Sequence, residues 1–387
     1  MTDKADIPLF PMPRAAGCPF DPPPELTRLA DRAPVSRVRL WDGSTPWLVT
    51  RYEDVRAVLA DPRISVDATR PGFPHTNAVS KARDTRMKTL MQLDPPEHTA
   101  QRRLLTSEFT IKKMEALRPR IQQIVDDHID AILAGPKPVD LVEALALPVP
   151  SRVICELLGV PYADREFFQG VARTLVMDQS DPEQAMAASE ELNAYLEALA
   201  VTKNADMLGA LAVDGAMTPR EIAMLGQLLL VAGHDTTAAM IALGTIALLT
   251  RPDLRDGDDS AVVEELLRYL SITHTEARRV AREDLEIGGK LIRAGEGVIA
   301  VKSTANRDPS AFSDPGTLQV RNARHHVAFG YGRHLCLGAP LARVELQVVY
   351  GTLRRRMPTL ALAIPPEELR YNENAIFYTV RELPVTW

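Results

Sequence analysis

Cysteine is scarce in this chain, which carries three among 387 residues, and an odd number cannot pair completely in disulfides. This scarcity argues against a small secreted protein held by disulfide bonds, and a chain of this length can bury a core without them. An excess of positive charge is also lacking, since 45 Lys and Arg residues are set against 51 Asp and Glu residues. The resulting net charge of −6 does not indicate a nucleic-acid-binding protein.

The N-terminal region lacks the apolar stretch of a signal peptide or a membrane anchor, because prolines interrupt it repeatedly up to Pro24. We expect residues 1–27 to form an extended strap, and the protein to be cytoplasmic, without nucleic-acid or membrane partners. No internal repeat, Gly/Ser linker or long run of charge divides the chain. These observations favour a single domain over residues 1–387.

Helical spacing of Ala, Leu, Glu and Arg dominates most segments, so the pattern predicts a mainly α protein with a minor β region. Residues 46–51 and 298–302 have the composition of strands. Residues 285–292 predict a hairpin with Gly288 and Gly289 at its tip.

Residues 223–250 are almost continuously apolar and predict one helix of roughly 40 Å, at ~1.5 Å per residue. Such a helix is long enough to span a membrane. His234 and Asp235 lie at its centre, however, where charge is costly in lipid. We therefore expect the central helix of a large soluble protein, which is apolar on all sides.

Glycines frame one of the three cysteines, in the segment Phe329-Gly330-x-Gly332-x-His334-x-Cys336-x-Gly338. Pro340 and the residues after it predict a helix that begins just past the cysteine. A cysteine at a helix N-terminus is held as thiolate by oriented N–H groups and the helix dipole, and such a thiolate is a good axial ligand for haem iron. By contrast, Cys155 lies on an apolar helical face and is expected in the core, and Cys18 has no neighbouring ligand set.

This segment resembles the haem-binding loop of the cytochrome P-450 family, whose pattern is Phe-Gly-x-Gly-x-(His/Arg)-x-Cys-x-Gly. The sequence Ala232-Gly233-His234-Asp235-Thr236 in the long helix is similar to the oxygen-activation motif of that family. Gly233 and Ala232 are small enough for the helix to pass close to a haem face. Thr236 can donate a hydrogen bond to bound dioxygen and Asp235 can relay protons from solvent, although a hydroxyl in a helix can instead bond to the i−4 carbonyl. His234 fills the variable position, and we expect it on the solvent or channel side.

Two further segments carry the resemblance along the chain. Glu265 and Arg268 are three residues apart and can pair on one helix face. The resemblance implies that they form a buried structural network completed by an Arg from the loop before the cysteine, for which Arg321 is the candidate.

The segment from Asp94 to Arg103 predicts a helix capped by Asp94, with Pro95 in its first turn and Glu97 at the third position. A haem carries two propionates, which need cationic donors, and Arg suits a carboxylate through its bidentate fork. The resemblance implies that the propionate-binding residues are His98, Arg102, Arg279 and His334.

The resemblance implies a P-450 fold with haem b (iron protoporphyrin IX) between the long central helix and the cysteine loop and helix, with Cys336 as the iron ligand. It implies a haem-thiolate monooxygenase that hydroxylates a bulky, mostly apolar small molecule with O2. No nucleotide fingerprint or flavin domain is found in the chain, so the two electrons are expected from a ferredoxin and its NAD(P)H-dependent reductase. A basic face for that ferredoxin is predicted at Arg103, Lys112, Lys113, Arg324 and Arg343, although an ordinary solvated surface explains the same charges.

Residues 146–151, 158–162 and 292–298 are similar to the actinomycete subgroup that hydroxylates secondary metabolites, including hydroxylators of vitamin D and of statin precursors. The substrate pocket is expected at residues 69–91, 166–184, 271–276 and 372–378 and at the upper face of the long helix. Residues 199–218 and 251–260 are shorter than is usual in the family.

Two alternative functions remain open at this point. A nitric oxide reductase of the same fold takes electrons directly from reduced nicotinamide, but it lacks the Asp-Thr pair that this chain has at Asp235 and Thr236. A non-catalytic haem sensor or carrier needs no proton relay and no redox partner. A peroxygenase is disfavoured, because the family's peroxygenases have an Arg in the distal helix where this chain has His234 and Asp235.

Overall fold

The computed structural model describes residues 7–15, 19–86, 88–176, 181–201, 207–254, 257–373 and 375–387. Within these ranges the helices are, in chain order, α1 Pro24–Arg32, α2 Tyr52–Ala60, α3 Ala78–Arg86, α4 Glu97–Thr106, α5 Ile111–Ala116, α6 Arg118–Ala134, α7 Pro148–Leu158, α8 Arg165–Val176, α9 Pro182–Val201, α10 Met207–Asp214, α11 Pro219–Thr250, α12 Asp259–Tyr269, α13 Lys302–Ala305 and α14 Ala339–Arg356. The strands are β1 Val35–Arg37, β2 Trp47–Val49, β3 Ile64–Ser65, β4 Val139–Asp140, β5 Ala277–Ala281, β6 Leu285–Ile287, β7 Lys290–Ile292, β8 Gly297–Ala300, β9 Ala361–Leu362 and β10 Pro384–Thr386. The expected mainly α architecture with a minor β region is confirmed.

The chain divides into two compact units, each discontinuous in sequence. Residues 1–100 and 264–336 form the first unit, and residues 101–263 and 337–387 form the second. The chain passes from one unit to the other within α4, within α12 and directly after Cys336. The arrangement of residues 1–387 as one domain stays a prediction.

The first unit is built on a five-stranded sheet with the strand order β1-β2-β8-β5-β3. Strands β2 and β8 are parallel, and the other neighbours are antiparallel. Because side chains alternate along a strand, Leu48 and Ile299 enter one apolar cluster while Val49 and Val298 enter another. Both faces of the sheet are therefore covered, which explains why its central strands read as continuous apolar runs.

The ends of the predicted strands differ from those observed. The strand predicted at residues 46–51 is β2, Trp47–Val49, and the one predicted at 298–302 ends at Ala300. At Lys302 the main-chain N–H donates to the carboxylate of Glu276 instead of a neighbouring strand, and α13 begins there. The hairpin β6–β7 is confirmed, with Gly288 and Gly289 at φ values of +53° and +73°. These left-handed values are those of a type I′ turn, which favours glycine.

The N-terminal strap is only partly extended. Residues 1–6 and 16–18, which include Cys18, lie outside the described part of the chain. Phe10 and Met12 are buried in the apolar cluster that contains Leu48, so this segment contributes to the core of the first unit. The prediction that the strap reaches residue 27 is wrong, because α1 begins at Pro24, where proline fits the first helical turn.

The predicted ion network is confirmed within the first unit. Glu265 and Arg268 are fully buried and form a bidentate pair, with N–O distances of 2.7 and 2.8 Å. Arg321 donates to the same carboxylate at 3.2 Å, and Arg268 also donates to main-chain oxygens of the loop, including that of Pro315 at 2.9 Å. Removal of one member of such a buried pair costs about 3–5 kcal/mol, so the network fixes the loop that precedes the cysteine segment.

The second unit is organised around α11, whose long apolar sequence was predicted to be one helix. Thr218 and Glu221 form a capping box, and Pro219 occupies the first turn, so three local signals start the helix at the same place. Helices α7, α9, α10 and α14 pack against it. Its composition would suit a membrane span, but 72% of its most apolar window is buried inside the protein, as expected for a central helix.

Candidate haem site

The segment around Cys336 forms a tight loop in which glycine is required at two positions. Gly330 and Gly332 have φ values of +79° and +71°, in the left-handed region. A Cβ on Gly332 would lie 2.9 Å from the main-chain oxygen of Leu59, so this glycine allows the loop to touch the end of α2. The main-chain N–H of Cys336 donates to the oxygen of Phe329 at 2.9 Å, which closes the loop and leaves the thiol exposed.

The helix predicted after the cysteine is α14, which begins at Ala339 with Gly338 as its N-cap and Pro340 in its first turn. A side chain at Gly338 would meet no protein atom within 4 Å. Cys155 shows the contrast between a structural and a functional cysteine. It is fully buried, and desolvation raises the pKa of its thiol to about 12, so it is the core residue that its apolar neighbours predict.

Three of the four residues implied for the haem propionates belong to the first unit. The rings of His98 and His334 are tilted against each other with their centroids 4.1 Å apart. Arg279, on β5, is half-buried and donates to the main-chain oxygen of Arg278 at 2.8 Å. Desolvation lowers the pKa of Arg279 to about 10, and the neighbouring Arg278 acts in the same direction. Guanidinium and imidazole groups are donors that suit a carboxylate.

Helix α4 carries His98 at its start and Arg102, partly exposed, four residues later. Its predicted capping by Asp94 is wrong. The carboxylate of Asp94 accepts hydrogen bonds from the Ser65 hydroxyl and from the main-chain N–H of Val66, the latter at 3.1 Å. The side chain of Asp94 therefore links the segment that precedes α4 to β3 and the residue after it, and α4 begins only at Glu97.

Asp235 and Thr236 lie in the middle of α11, in the second unit. Asp235 is buried, and its Oδ1 is 3.4 Å from Nδ1 of His234, which is buried as well. Desolvation raises the pKa of Asp235 above its ordinary value, although His234 and Arg173 of α8 both oppose the shift. Within the described residues, neither Oδ2 of Asp235 nor Nε2 of His234 has a hydrogen-bond partner. The burial of His234 excludes the solvent side of the two positions expected for it, and the channel side stays a prediction.

Thr236 makes the local bond that helical hydroxyls often make. Its Oγ1 donates to the main-chain oxygen of Ala232 at 2.6 Å. Packing within the second unit also explains why glycine stands at position 233. A Cβ there would lie 3.1 Å from the side chain of Ile154 on α7. The small size of Gly233 thus serves helix packing within the second unit. Its proposed approach to a haem remains a prediction.

One stripe of α11 is partly open in the part of the helix that precedes residue 237. Met224, Leu228, Ala232 and Thr236 are spaced by four residues, and each is partly exposed. Residues 237–247, by comparison, are all buried. An apolar, accessible stripe with a single hydroxyl suits a flat apolar ligand. In the first unit, the exposed thiol of Cys336 and the donors His98, Arg279 and His334 are side chains of the kinds that fit a haem.

Some expected pocket residues cannot be placed, and one charged pair was missed. Met87, residues 177–180 and Asn374 of the predicted pocket, and residues 202–206 and 255–256 of the two short stretches, lie outside the described part of the chain. Glu276 and Lys302 form a buried polar turn in the first unit that no sequence motif marked. In the sequence these are only two charged residues beside apolar strands, and that pattern does not distinguish a buried polar turn from ordinary surface charge.

Comparisons with known proteins identify the family of this chain. A family model described as Cytochrome P450 matches residues 260–357. The chain is 51% identical to Cytochrome P450 GfsF of Streptomyces halstedii, over 99% of this chain and 97% of that protein. It is 45% identical to the vitamin D3 dihydroxylase of Streptomyces griseolus, over the full length of both chains.

Solved structures of relatives have the same fold. The crystal structure of GfsF matches with a TM-score of 0.92, over 98% of this chain and all of that chain. The mycinamicin VIII C21 methyl hydroxylase of Micromonospora griseorubida, bound to mycinamicin VIII, is 41% identical and also has a TM-score of 0.92, over 98% of this chain and all of that one.

The fold and the cysteine site define a haem-thiolate protein. The chain belongs to the cytochrome P450 family, in the actinomycete subgroup that the sequence indicated. Its cofactor is haem b, and it is a monooxygenase, which is supported over nitric oxide reduction and haem sensing.

Proposed function

We propose that this enzyme hydroxylates a bulky, mostly apolar small molecule of secondary metabolism, using O2 and two electrons from a ferredoxin and its reductase. The exposed thiol of Cys336, held by the glycine loop ahead of α14, is the observation that carries the proposal. The open apolar stripe of α11 supports an apolar substrate. The relatives support a large one, since one of them is a hydroxylase seen with mycinamicin VIII.

In this proposal the chain binds the haem and shields its surroundings. Cys336 holds the iron as thiolate, and Phe329, Gly330 and Gly338 shape the loop around it. Ala232 and Gly233 have small side chains, which leave room beside the helix. His98, Arg102, Arg279 and His334 hold the two propionates through charged or imidazole donors. When bound in this way, haem supplies the activation of O2 and the transfer of one oxygen atom to a C–H bond.

In this proposal Asp235 holds and delivers protons, and Thr236 accepts a hydrogen bond from a protonated group. Asp235 is buried, and its raised pKa makes its Oδ2 better able to hold a proton near neutral pH than an ordinary carboxyl group. Thr236 donates its own proton to the Ala232 oxygen, so its lone pairs remain to accept a hydrogen bond from a protonated group. The two side chains therefore form a donor and an acceptor on consecutive residues.

Electron supply and location complete the proposal. The nicotinamide electrons reach this enzyme through a separate ferredoxin, because the chain has no nucleotide or flavin motif of its own. We place the enzyme in the cytoplasm, without membrane or nucleic-acid partners.

Replacement of Cys336 by Ser tests the proposal directly. We expect Cys336→Ser to lose the carbon monoxide difference band of thiolate-ligated haem and to lose turnover, because a hydroxyl is a much weaker anionic ligand. Cys155→Ser is the matched control, since Cys155 is buried away from solvent and should leave the band in place. A Cys336→Ser protein with the original band and undiminished product formation would refute the proposal.

A further inference from the structure

Two consecutive glutamates of α12 contact different parts of the segment that leads to Cys336. Glu265 binds Arg268 and Arg321, as described above. Oε2 of Glu264 lies 3.1 Å from Nε2 of His326, and these two side chains are only 3% and 1% exposed. Burial of a carboxylate is costly without a close polar group, so this contact differs from an ordinary pair on the surface.

The second ring nitrogen of His326 fixes where the proton of the imidazole lies. Nδ1 accepts the main-chain N–H of Ala328 at 3.2 Å. A ring nitrogen that accepts a hydrogen bond carries no proton, so the neutral imidazole has its proton on Nε2, the nitrogen beside Glu264. The ring of His326 therefore links a carboxylate of α12 to the main chain of the segment before the cysteine.

The part of the chain that His326 contacts continues directly into the cysteine loop. The rings of His326 and Phe329 pack with their centroids 5.9 Å apart and their planes tilted by 46°. A turn closes here, because the N–H of Gly330 donates to the oxygen of Val327 at 2.9 Å. The main-chain oxygen of Phe329 then accepts the N–H of Cys336, also at 2.9 Å. A displacement of the imidazole would therefore move the acceptor of the Cys336 N–H.

A separate contact holds the same segment one residue earlier. The side-chain oxygen of Asn306 accepts the N–H of Val327 at 2.8 Å, and its main-chain oxygen accepts a hydrogen bond from Arg268 at 2.7 Å. The network of Arg268 thus reaches Val327, and His326 extends the hold to Ala328. The two glutamates of α12 act on successive positions of one path toward the cysteine.

We propose that Glu264 and His326 are positioning residues for the Cys336 ligand. Glu264 fixes the imidazole of His326, and the imidazole fixes the main chain that ends at the Phe329 oxygen. The pair acts through this main chain and not on the reacting atoms. The inference rests on the proposed function, because it takes Cys336 as the ligand of the haem iron.

Hydrogen exchange in the ferric holoenzyme measures this hold. Peptides that cover residues 326–336 contain the N–H groups of Ala328 and Cys336. Glu264→Met removes the carboxylate and should make exchange in this segment about tenfold faster, which is the scale of one lost hydrogen bond. Glu264→Gln keeps an acceptor and should stay close to the parent protein. Exchange at the parent rate in Glu264→Met would overturn the proposal.

The matched control is Ile299→Val, which removes one buried methyl group from the apolar cluster around Leu48. This variant should lose stability, because a cavity is left in the core, without faster exchange at residues 326–336. Equally fast exchange in Ile299→Val and Glu264→Met would show a general loss of stability and refute the assigned role.

The reduction potential separates a positioning role from a merely structural one. An anionic sulfur ligand stabilises ferric iron, so a cysteine that is held less firmly should raise the midpoint potential and lose part of the thiolate-type carbon monoxide band. We expect both changes in Glu264→Met and in His326→Asn, whose amide oxygen can still accept the Ala328 N–H but does not reach Glu264.

The double variant Glu264→Met with His326→Asn should change the potential no more than either single variant, because both substitutions remove one contact. Ile299→Val should keep the parent potential and band. Variants at positions 264 and 326 that are less stable but have the parent potential and band would show a structural role only, and the proposal would then be wrong.

Failure of the proposed function has a different signature. It would appear in the parent protein as absence of the thiolate-type carbon monoxide band, whatever residues stand at positions 264 and 326. If the parent protein has that band and the variants match it in band, potential and exchange, the role of Glu264 and His326 alone is refuted.

Discussion

At the scale of single residues, neighbouring side chains on α11 have different partners and hence different chemical states. Asp235 is buried with its Oδ1 near His234, while the Thr236 hydroxyl is engaged with the helix itself. Burial raises the pKa of the Asp235 carboxyl group, and a hydroxyl oxygen that can accept a hydrogen bond is complementary to such a group. The proton role that we propose for Asp235 and Thr236 depends on this difference rather than on either group alone.

If Asp235 and Thr236 handle protons, variants of Thr236 should form less product for each NADH consumed. Thr236→Ala should keep NADH oxidation but convert most of the electrons into hydrogen peroxide, and Asp235→Asn should lower turnover by about 10²-fold, the usual scale for loss of a proton donor. Product, peroxide and NADH are measured together in the reconstituted system.

Thr245→Ala is the matched control for the threonine. Thr245 lies on the same helix, donates to the oxygen of Ile241 at 2.7 Å and is fully covered by protein. It should lose the same local bond without any loss of coupling. If Thr236→Ala couples electrons to product as well as Thr245→Ala does, the assigned role is wrong.

Residues whose partners are close in sequence, or which belong to a dense motif, could be predicted. The Glu265–Arg268 pair and the exposed Cys336 are examples. Asp94 could not be predicted, because its partner Ser65 is 29 residues away and competes successfully with the local cap. Gly233 was assigned to a ligand because the sequence does not show that Ile154 packs against it.

At the scale of secondary structure elements, α11 and α14 pack so closely that a glycine is needed between them. A Cβ on Gly244 would lie 2.0 Å from the hydroxyl oxygen of Tyr350. That hydroxyl is buried and donates to the main-chain oxygen of Met240, one turn before Gly244. The α11–α14 packing therefore combines close approach with a satisfied polar group.

Gly244→Ala should destabilise the holoenzyme by about 1–3 kcal/mol, because the methyl group must displace Tyr350 and its hydrogen bond. Denaturant unfolding followed by the Soret band and by far-UV circular dichroism measures the effect. Gly170→Ala on α8 is the control, since its Cβ would meet no atom within 4 Å and alanine favours helices. Equal stability of the two variants would contradict the packing argument.

The existence and type of the long elements could be predicted, but several of their ends could not. The proline in the first turn of α14 is a local signal, and that helix begins where it indicates. The long helix was predicted from residue 223 but begins at Pro219, because the capping box of Thr218 and Glu221, which the prediction did not use, sets its start. The end of β8 depends on Glu276, which is distant in sequence and takes the N–H of Lys302. Tertiary partners, rather than propensity, decide such boundaries.

At the scale of the whole molecule, the net charge is negative, although exposed cationic side chains are present. In the second unit, Arg103 and Lys112 are exposed, and α5, which carries Lys112, packs against α14. This local basic character is suited to an acidic redox protein, for which complementary charge mainly accelerates encounter.

The double variant Arg103→Glu and Lys112→Glu should slow haem reduction by an acidic ferredoxin by about tenfold at low salt, and the difference should vanish at high ionic strength. Stopped-flow reduction over a range of NaCl concentrations measures this. Arg282→Glu with Lys290→Glu makes the same charge change at exposed positions of the first unit and serves as the control. A salt-independent deficit, or an equal deficit in the control, would remove this surface from the docking site.

The open stripe of α11 has a consequence for the sequence changes that this helix can accept. Leu228 is partly exposed, whereas Ile241 on the same helix is fully buried. A change of side-chain size at Leu228 therefore costs less free energy of unfolding than the same change at Ile241, where the packed core must absorb a cavity or a clash. Natural variation along α11 should accordingly concentrate before residue 237.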